Sequence, residues 1–176
     1  MHADSDDTAT WLRDPANRQL LSSPLSVAEL LKQDNIVMGY WGLVLPSSLG
    51  GVSDLAHDAA LGNLVKKFVA ANSLCKAFSD SDKWCFSGWN LTAVSNFEVA
   101  RYPFFSKLPL IIEDFVKDHG GFYNCSVMDA VHVVVDRSLI TGQNDNSTAL
   151  AVQNFVWLCQ LPEASLRAAA ALVAIC

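Results

Sequence analysis

The amino-acid sequence predicts an α/β domain of three layers, with helices on the faces of a parallel sheet. Three stretches lead to it. Trp41 to Leu45 is a short apolar run closed by Pro46, the form of a buried parallel strand. From Asp58 onward, Leu61, Leu64, Val65, Phe68 and Val69 repeat at helical spacing. Val131 to Val135 is β-branched apart from His132 within it, which suits a strand covered on both faces. Beyond the polar turn Asp136-Arg137-Ser138, Leu139 to Thr141 reads as a returning strand. Gly142 to Asn146 is then a loop. Ser147 or Thr148 caps a helix with Ala151, Val152, Phe155, Leu158 and Cys159 on its apolar side.

The remaining elements follow in order. Residues 1–10 are acidic and expected to fray, with Trp11 and Leu12 able to dock. Ser26 and Glu29 have capping-box spacing and start a short helix over 24–33. Ile36 to Met38 reads as a brief extended segment. Pro46 to Ser53 is a strand-to-helix loop with a Gly50-Gly51 turn, followed by a helical turn over Asp54 to His57. Trp84 to Trp89 reads as a strand around a Gly88 turn. Ser95 and Glu98 repeat the capping-box pattern ahead of a weak helix over 94–102. Leu108, Ile111, Ile112, Phe115 and Val116 form a helical stripe, with Pro109 in the first turn and Gly120 past the end. Phe122 to Cys125 reads as a strand. "EASLRAAAALVAIC" has high helix propensity and reads as a final helix laid on the domain.

A chain of 176 residues defaults to one domain. The expected division is a frayed or loosely docked segment over 1–23, the domain over 24–161, and an Ala-rich apolar helix over 162–176. A net charge of −6, with Lys66-Lys67 the one basic doublet, argues against a nucleic-acid footprint. No apolar run reaches the ~18 residues of a membrane span. The first residues carry no apolar leader core, so no secretory signal is expected. The sequons at Asn90, Asn124 and Asn146 then read as chance polar turns.

"DRSLITGQNDNST" after an apolar strand resembles the C-terminal signature of the class I glutamine-amidotransferase-like superfamily, in its ThiJ/PfpI branch. "LPLIIEDFVKDHG", "DAVHVVVDR" and "AVQNF" extend the resemblance across Leu108 to Leu158, and "GLVLPSSLGGVSDLA" adds a looser match near Trp41 to Phe68. About half to two-thirds of the chain is covered. The resemblance implies a flavodoxin-like sandwich. Its enzymes carry a nucleophilic Cys on a strand-to-helix elbow of Ala-x-Cys-His-Gly type. Here the chain runs from Ala71 through Asn72, Ser73 and Leu74 into Cys75 and Lys76, with no such elbow. The sheet is therefore expected to be reduced, lacking its first strands and the elbow strand. Such a chain is expected to be marginal alone or to complete itself by association.

The single residues read as structural. Cys75 has Lys76 beside it but no neighbouring His or Gly. Cys85, Cys125, Cys159 and Cys176 read as buried thiols. His132 reads as a sheet histidine, His119 as a helix C-terminal residue, and His57 as a cap or surface residue. Glu113 and Asp114 read as a solvated helix face. Asp54 and Asp58 place negative charge at the helix starts behind the "SSLGGVSD" loop, which reads as a structural turn and not an anion cradle. Of five Trp, most are expected in the core, with one or two at an interface. No catalytic, cofactor-binding or metal residue is therefore assigned, and no cofactor is expected. The resemblance implies a non-catalytic subunit that forms homo-oligomers and docks on scaffold subunits of an early-endosomal Rab-effector complex linking mRNA to endosomes. Direct nucleic-acid contact and membrane insertion are not expected. The competing reading is a Cys-dependent hydrolase or glyoxalase-like enzyme.

Overall fold

A computed structural model describes residues 6–33, 36–46, 58–72, 83–160 and 171–175. Two short helices come first, α1 (Asp6–Arg13) and α2 (Pro15–Ser22). Asp14 caps α2 by accepting from the Ala16 amide, and Pro15 takes the first helical position, where no N–H is needed. The segment expected to fray is thus helical from Asp6, and Trp11, Leu12, Leu20 and Leu21 are exposed rather than docked. Helix α3 (Val27–Leu31) has the expected capping box. The Ser26 hydroxyl accepts from the Glu29 amide, and the Glu29 carboxylate accepts from the Ser26 amide. Ile36 opens a one-turn helix, α4 (Ile36–Gly39), not the extended segment expected. Its buried side chain packs with Leu61, Leu64 and Phe68, so tertiary contact overrides the β-branched preference.

Strand β1 (Gly42–Leu45) falls where the sequence reading put it and is parallel to its neighbour, but it is only partly buried, with Val44 exposed; helix α5 (Ala59–Asn72) matches the reading. Asp58 caps α5, accepting from the Ala60 and Leu61 amides. The Gly50-Gly51 loop, Asp54 and His57 lie outside the described residues. Residues 84–89, expected as a strand, form a turn instead: the Ser87 amide donates to Trp84 and the Trp89 amide to Phe86. The ring of Trp84 meets Phe86 and Phe115 edge-on, contacts that the turned backbone brings together. Strand β2 (Asn90–Leu91) follows, then the single-turn helix α6 (Asn96–Val99).

Helix α7 (Ile112–Asp118) starts four residues later than its apolar stripe suggests, with Pro109 ahead of it rather than in its first turn: Leu108, which precedes the proline, and Ile111 are both extended. It ends as the pattern predicts. His119 is its C-cap, the Gly120 amide donates to Lys117, and the Gly121 amide donates to Val116. That pair of bonds is a Schellman motif, and Gly120 has the left-handed φ of +78° that it needs. Gly120→Ala is expected to cost about 1–2 kcal/mol in a chemical-denaturation melt, mainly from that φ. A methyl there would also meet Ser87 Oγ at 2.8 Å, but a hydroxyl can turn away. An unchanged midpoint would count against this ending.

Strand β3 (Phe122–Tyr123) lies parallel to β2 in a small two-stranded sheet. The hairpin of β4 (Val133–Asp136) and β5 (Leu139–Gly142) is antiparallel, with Val135 opposite Ile140. Arg137 takes the turn with φ +56°, and its guanidinium lies 4.2 Å from the Trp89 ring centroid. Helix α8 (Thr148–Gln160) follows. Residues 171–175, expected within a helix, are instead strand β6 (Ala171–Ile175). The sheet order is β1-β6-β5-β4, and β6 is parallel to both neighbours. Two ladders of backbone hydrogen bonds outweigh the helix preference of the alanines. The sequence reading named no strand for the place between β1 and β5, which β6 of the same chain occupies.

Alternation along β5 sorts the layers. Leu139 belongs to a cluster with Val69, Trp89, Leu91 and Val116, on which Leu43, Leu45 and Val65 pack. Its neighbour Ile140 is fully buried with Ala151, against Val133, Phe155 and Leu158. Successive strand residues face opposite sides, so α5 and α8 cover opposite faces. On the α8 face, Val44 and Val135 remain 42% and 46% exposed at the sheet margins. The Val131 to Val135 stretch is therefore not covered on both faces as expected. One helix spans the middle of that face and leaves its edges open. Val152, expected inward, is also exposed on α8.

Candidate functional site

The densest polar construction among the described residues is centred on Glu98, a buried carboxylate on α6. The capping box supplies its first contacts. The Ser95 hydroxyl accepts from the Glu98 amide at 3.2 Å, while Glu98 Oε2 accepts from the Ser95 amide at 3.1 Å and its hydroxyl at 2.9 Å. Distant segments add the rest. Gln143 Nε2 donates to Oε2 at 2.8 Å, and Asn144 Nδ2 and the Asp129 amide donate to Oε1 at 2.8 and 2.9 Å.

A second tier braces those donors. Gln143 Oε1 accepts from the Ser126 amide, and Asn144 Nδ2 also donates to Ala130. Asn144 Oδ1 accepts from the Ser147 amide and hydroxyl, and Ser147 Oγ in turn accepts from the His132 amide. Asp129 has a φ of +64° and forms a bidentate pair with Arg101 at 2.7 and 2.6 Å. Both partners of that pair are about half exposed, so solvent screens it and its worth is small. The buried bonds to the carboxylate matter more, because charge-assisted bonds are the strong ones.

Burial alone would raise the Glu98 pKa, but the donors Asn144, Asp129, Ser95 and Gln143 outweigh it and hold the carboxyl below its usual range. Glu113 behaves likewise. Partial burial pushes its pKa up, and Lys117 at 2.6 Å together with the Asn96 amide pulls it down further. Glu113 and Asp114 were expected to be a plain solvated face. Both instead reach the start of α6, through the Asn96 amide and side chain. A lowered folded-state pKa contributes stability that is complete above the unfolded value of ~4.3 and is lost as pH falls through the folded one. Urea midpoints are therefore expected to stay flat from pH 7 to about 5 in this respect, then drop below about pH 4. Glu98→Gln should blunt that acid limb; an identical limb in the variant would count against the assignment.

The other residues singled out from the sequence scatter. Cys75 and Cys176 lie outside the described residues. Cys85 sits half-buried in the 85–88 turn, its thiol pushed up by burial, which outweighs the opposing backbone bonds and Lys66. Cys159 on α8 is pushed up by burial too. Cys125 is exposed, not buried as expected. His119 rests on the Phe115 ring and bonds the Phe115 carbonyl, in keeping with a helix C-terminus. His132 donates its amide to Ser147 Oγ, and its buried Nε2 has no hydrogen-bond partner among the described residues. Trp11, Trp41 and Trp157 are 46%, 66% and 56% exposed, so three of the five indoles are outside the core, more than expected. Among the described residues no three His, Cys, Asp or Glu converge as for a metal, and no helix is long and apolar enough to cross a membrane.

An X-ray structure of the Rapid Encystment Protein 24 KDa of Francisella tularensis superposes with a TM-score of 0.74 at 17% identity, covering 88% of this chain and 72% of that one. The two share a fold, a flavodoxin-like α/β sandwich whose sheet here is parallel from β1 through β6 to β5 and antiparallel at β4. Sequence relatives narrow the class. The chain is 44% identical over 131 residues to glutamine amidotransferase-like class 1 domain-containing protein 1 of Danio rerio, matching 68% of this chain and 61% of that protein. It is 41% identical to the Homo sapiens protein of the same name, matching 60% of its length. The chain is a homologue of the glutamine amidotransferase-like class 1 domain-containing proteins, and spans about three-fifths of the length of these relatives. No family model matches it.

Proposed function

We propose that this chain is a non-catalytic, protein-binding member of its family. The observation that supports this best is the outward placement of Trp11, Trp41 and Trp157. Trp is enriched where proteins meet, and leaving it in water forgoes about 1.5–3 kcal/mol of burial per large side chain. Phe97 and Val127 add to this, 77% and 76% exposed, on the very segments that Glu98 ties together. The role of Glu98 agrees with the proposal. Five donors occupy both its oxygens, which suits a brace better than a base.

In this reading the partners are other copies of the chain and the scaffold subunits of an early-endosomal Rab-effector assembly. The chain would work on the cytoplasmic face of early endosomes, with any mRNA held by other subunits. The test is co-purification of the tagged chain with those subunits. Wild type is expected to recover them. Trp41→Ala with Trp157→Ala should recover several-fold less while changing stability by less than about 1 kcal/mol, since both indoles are exposed. A lone monomer under gentle conditions would sink the proposal. The enzymatic alternative requires one hyper-reactive thiol. Mild alkylation at neutral pH is expected to find Cys85 and Cys159 slow, because burial raises both thiols and lowers their thiolate fraction; among the described thiols Cys125 is the exposed one. A rapidly modified Cys, with turnover of a small aldehyde or amide lost on its modification, would restore the enzyme.

A further inference from the structure

Strand β6 holds an unusual place. It is the last strand described, yet it lies inside the sheet. Gly42, Leu43, Val44 and Leu45 of β1 pair with Ala171 to Ala174, and Leu139 to Gly142 of β5 pair with Leu172 to Ile175. Among the described residues β1 pairs with no other strand, so β6 is what joins β1 to the β4–β5 hairpin. Two of its five residues, Ala171 and Ala174, are alanines that favour a helix, so the extended form draws on the two flanking ladders as well as on Val173 and Ile175. Ten residues, 161–170, separate β6 from α8 and can reach up to ~33 Å when extended.

We propose that the slot between β1 and β5 is a strand-acceptor site, and that two copies of the chain exchange β6 through it. The occupant must be an extended segment without charge that enters parallel to both walls, and the ALVAI of a second copy meets that requirement as well as the chain's own. Exchange makes no new kind of contact. Each ladder bond lost within one copy is regained in the other, so its thermodynamic cost is small. Val44 is the natural reporter, since it lies opposite Val173 in the register and is 42% exposed. The inference gives the homo-oligomer of the proposed function a specific mechanism, and rests on that reading only in taking a second copy as the partner.

The test uses the full chain with Val44→Cys in one preparation and Val173→Cys in another. The two are mixed, oxidised and mapped by peptide mass. A disulfide joining Cys at 44 of one chain to Cys at 173 of the other is expected in the mixture and in neither preparation alone. The double variant Val44→Cys/Val173→Cys is the control, and should link whether the strand is exchanged or not, which establishes the register. A double variant that links only within a monomer, beside a mixture that gives no cross-chain disulfide after prolonged incubation, would overturn the exchange. A double variant that fails to link at all would overturn the slot itself. To guard against a variant that misfolds, amide exchange on the unmodified chain should show Gly42 to Leu45 protected; rapid exchange there would also reject the slot. Loss of exchange with scaffold subunits still recovered would leave the protein-binding role standing without this mechanism.

Discussion

Replacing Glu98 by alanine is expected to destabilise the protein by on the order of 3 kcal/mol. The carboxylate gathers donors from Ser95, Asp129, Gln143 and Asn144, and all would lose their acceptor at once. An amide or carboxamide N–H left buried without a partner costs about 1–3 kcal/mol, and water can rescue only some of these. Glu98→Gln is the sharper probe. It keeps the shape, but one end becomes a donor facing other donors, so it should lose at least ~1.5 kcal/mol rather than behave as a conservative change. Equilibrium urea unfolding measures both. A loss under ~0.5 kcal/mol for the alanine variant would mean that the five bonds do not brace the fold.

Ile140→Ala is the second large effect, at about 3–4 kcal/mol. The side chain is fully buried beneath α8, against the equally buried Ala151, and the flanking Val133, Phe155 and Leu158 belong to rigid elements that cannot close in. Val135→Ala, opposite it in the hairpin and half exposed, should cost less than about 1 kcal/mol. The contrast between two adjacent positions on one face is the measurement. Equal losses would show that α8 does not cover the sheet as described.

Periodic features were legible in the sequence because they repeat within a few residues. The stripe from Leu61 to Val69, the run from Val133 to Val135 and both capping boxes announced themselves this way. The brace did not. Glu98 and Asn144 are 46 residues apart, and nothing local relates a capping-box glutamate to an amide in a loop. The sole sign was that Gln143, Asn144 and Ser147 crowd the polar stretch just beyond an apolar strand. The turn at 84–89 was missed because aromatic residues favour strands, whereas Trp84 is spent on edge contacts with Phe86 and Phe115. Strand β6 was missed for the opposite reason. Alanine favours a helix, and only ladders to distant strands, β1 more than a hundred residues away, hold it extended.

The opposite memberships of Leu139 and Ile140 make β5 a shared wall between two interiors. A slip of one residue in the hairpin would carry Leu139 across to the α8 side and Ile140 to the α5 side, spoiling both compartments together. The two-residue bend at Arg137 and Ser138 therefore sets the alignment of the whole molecule, although it belongs to neither interior itself.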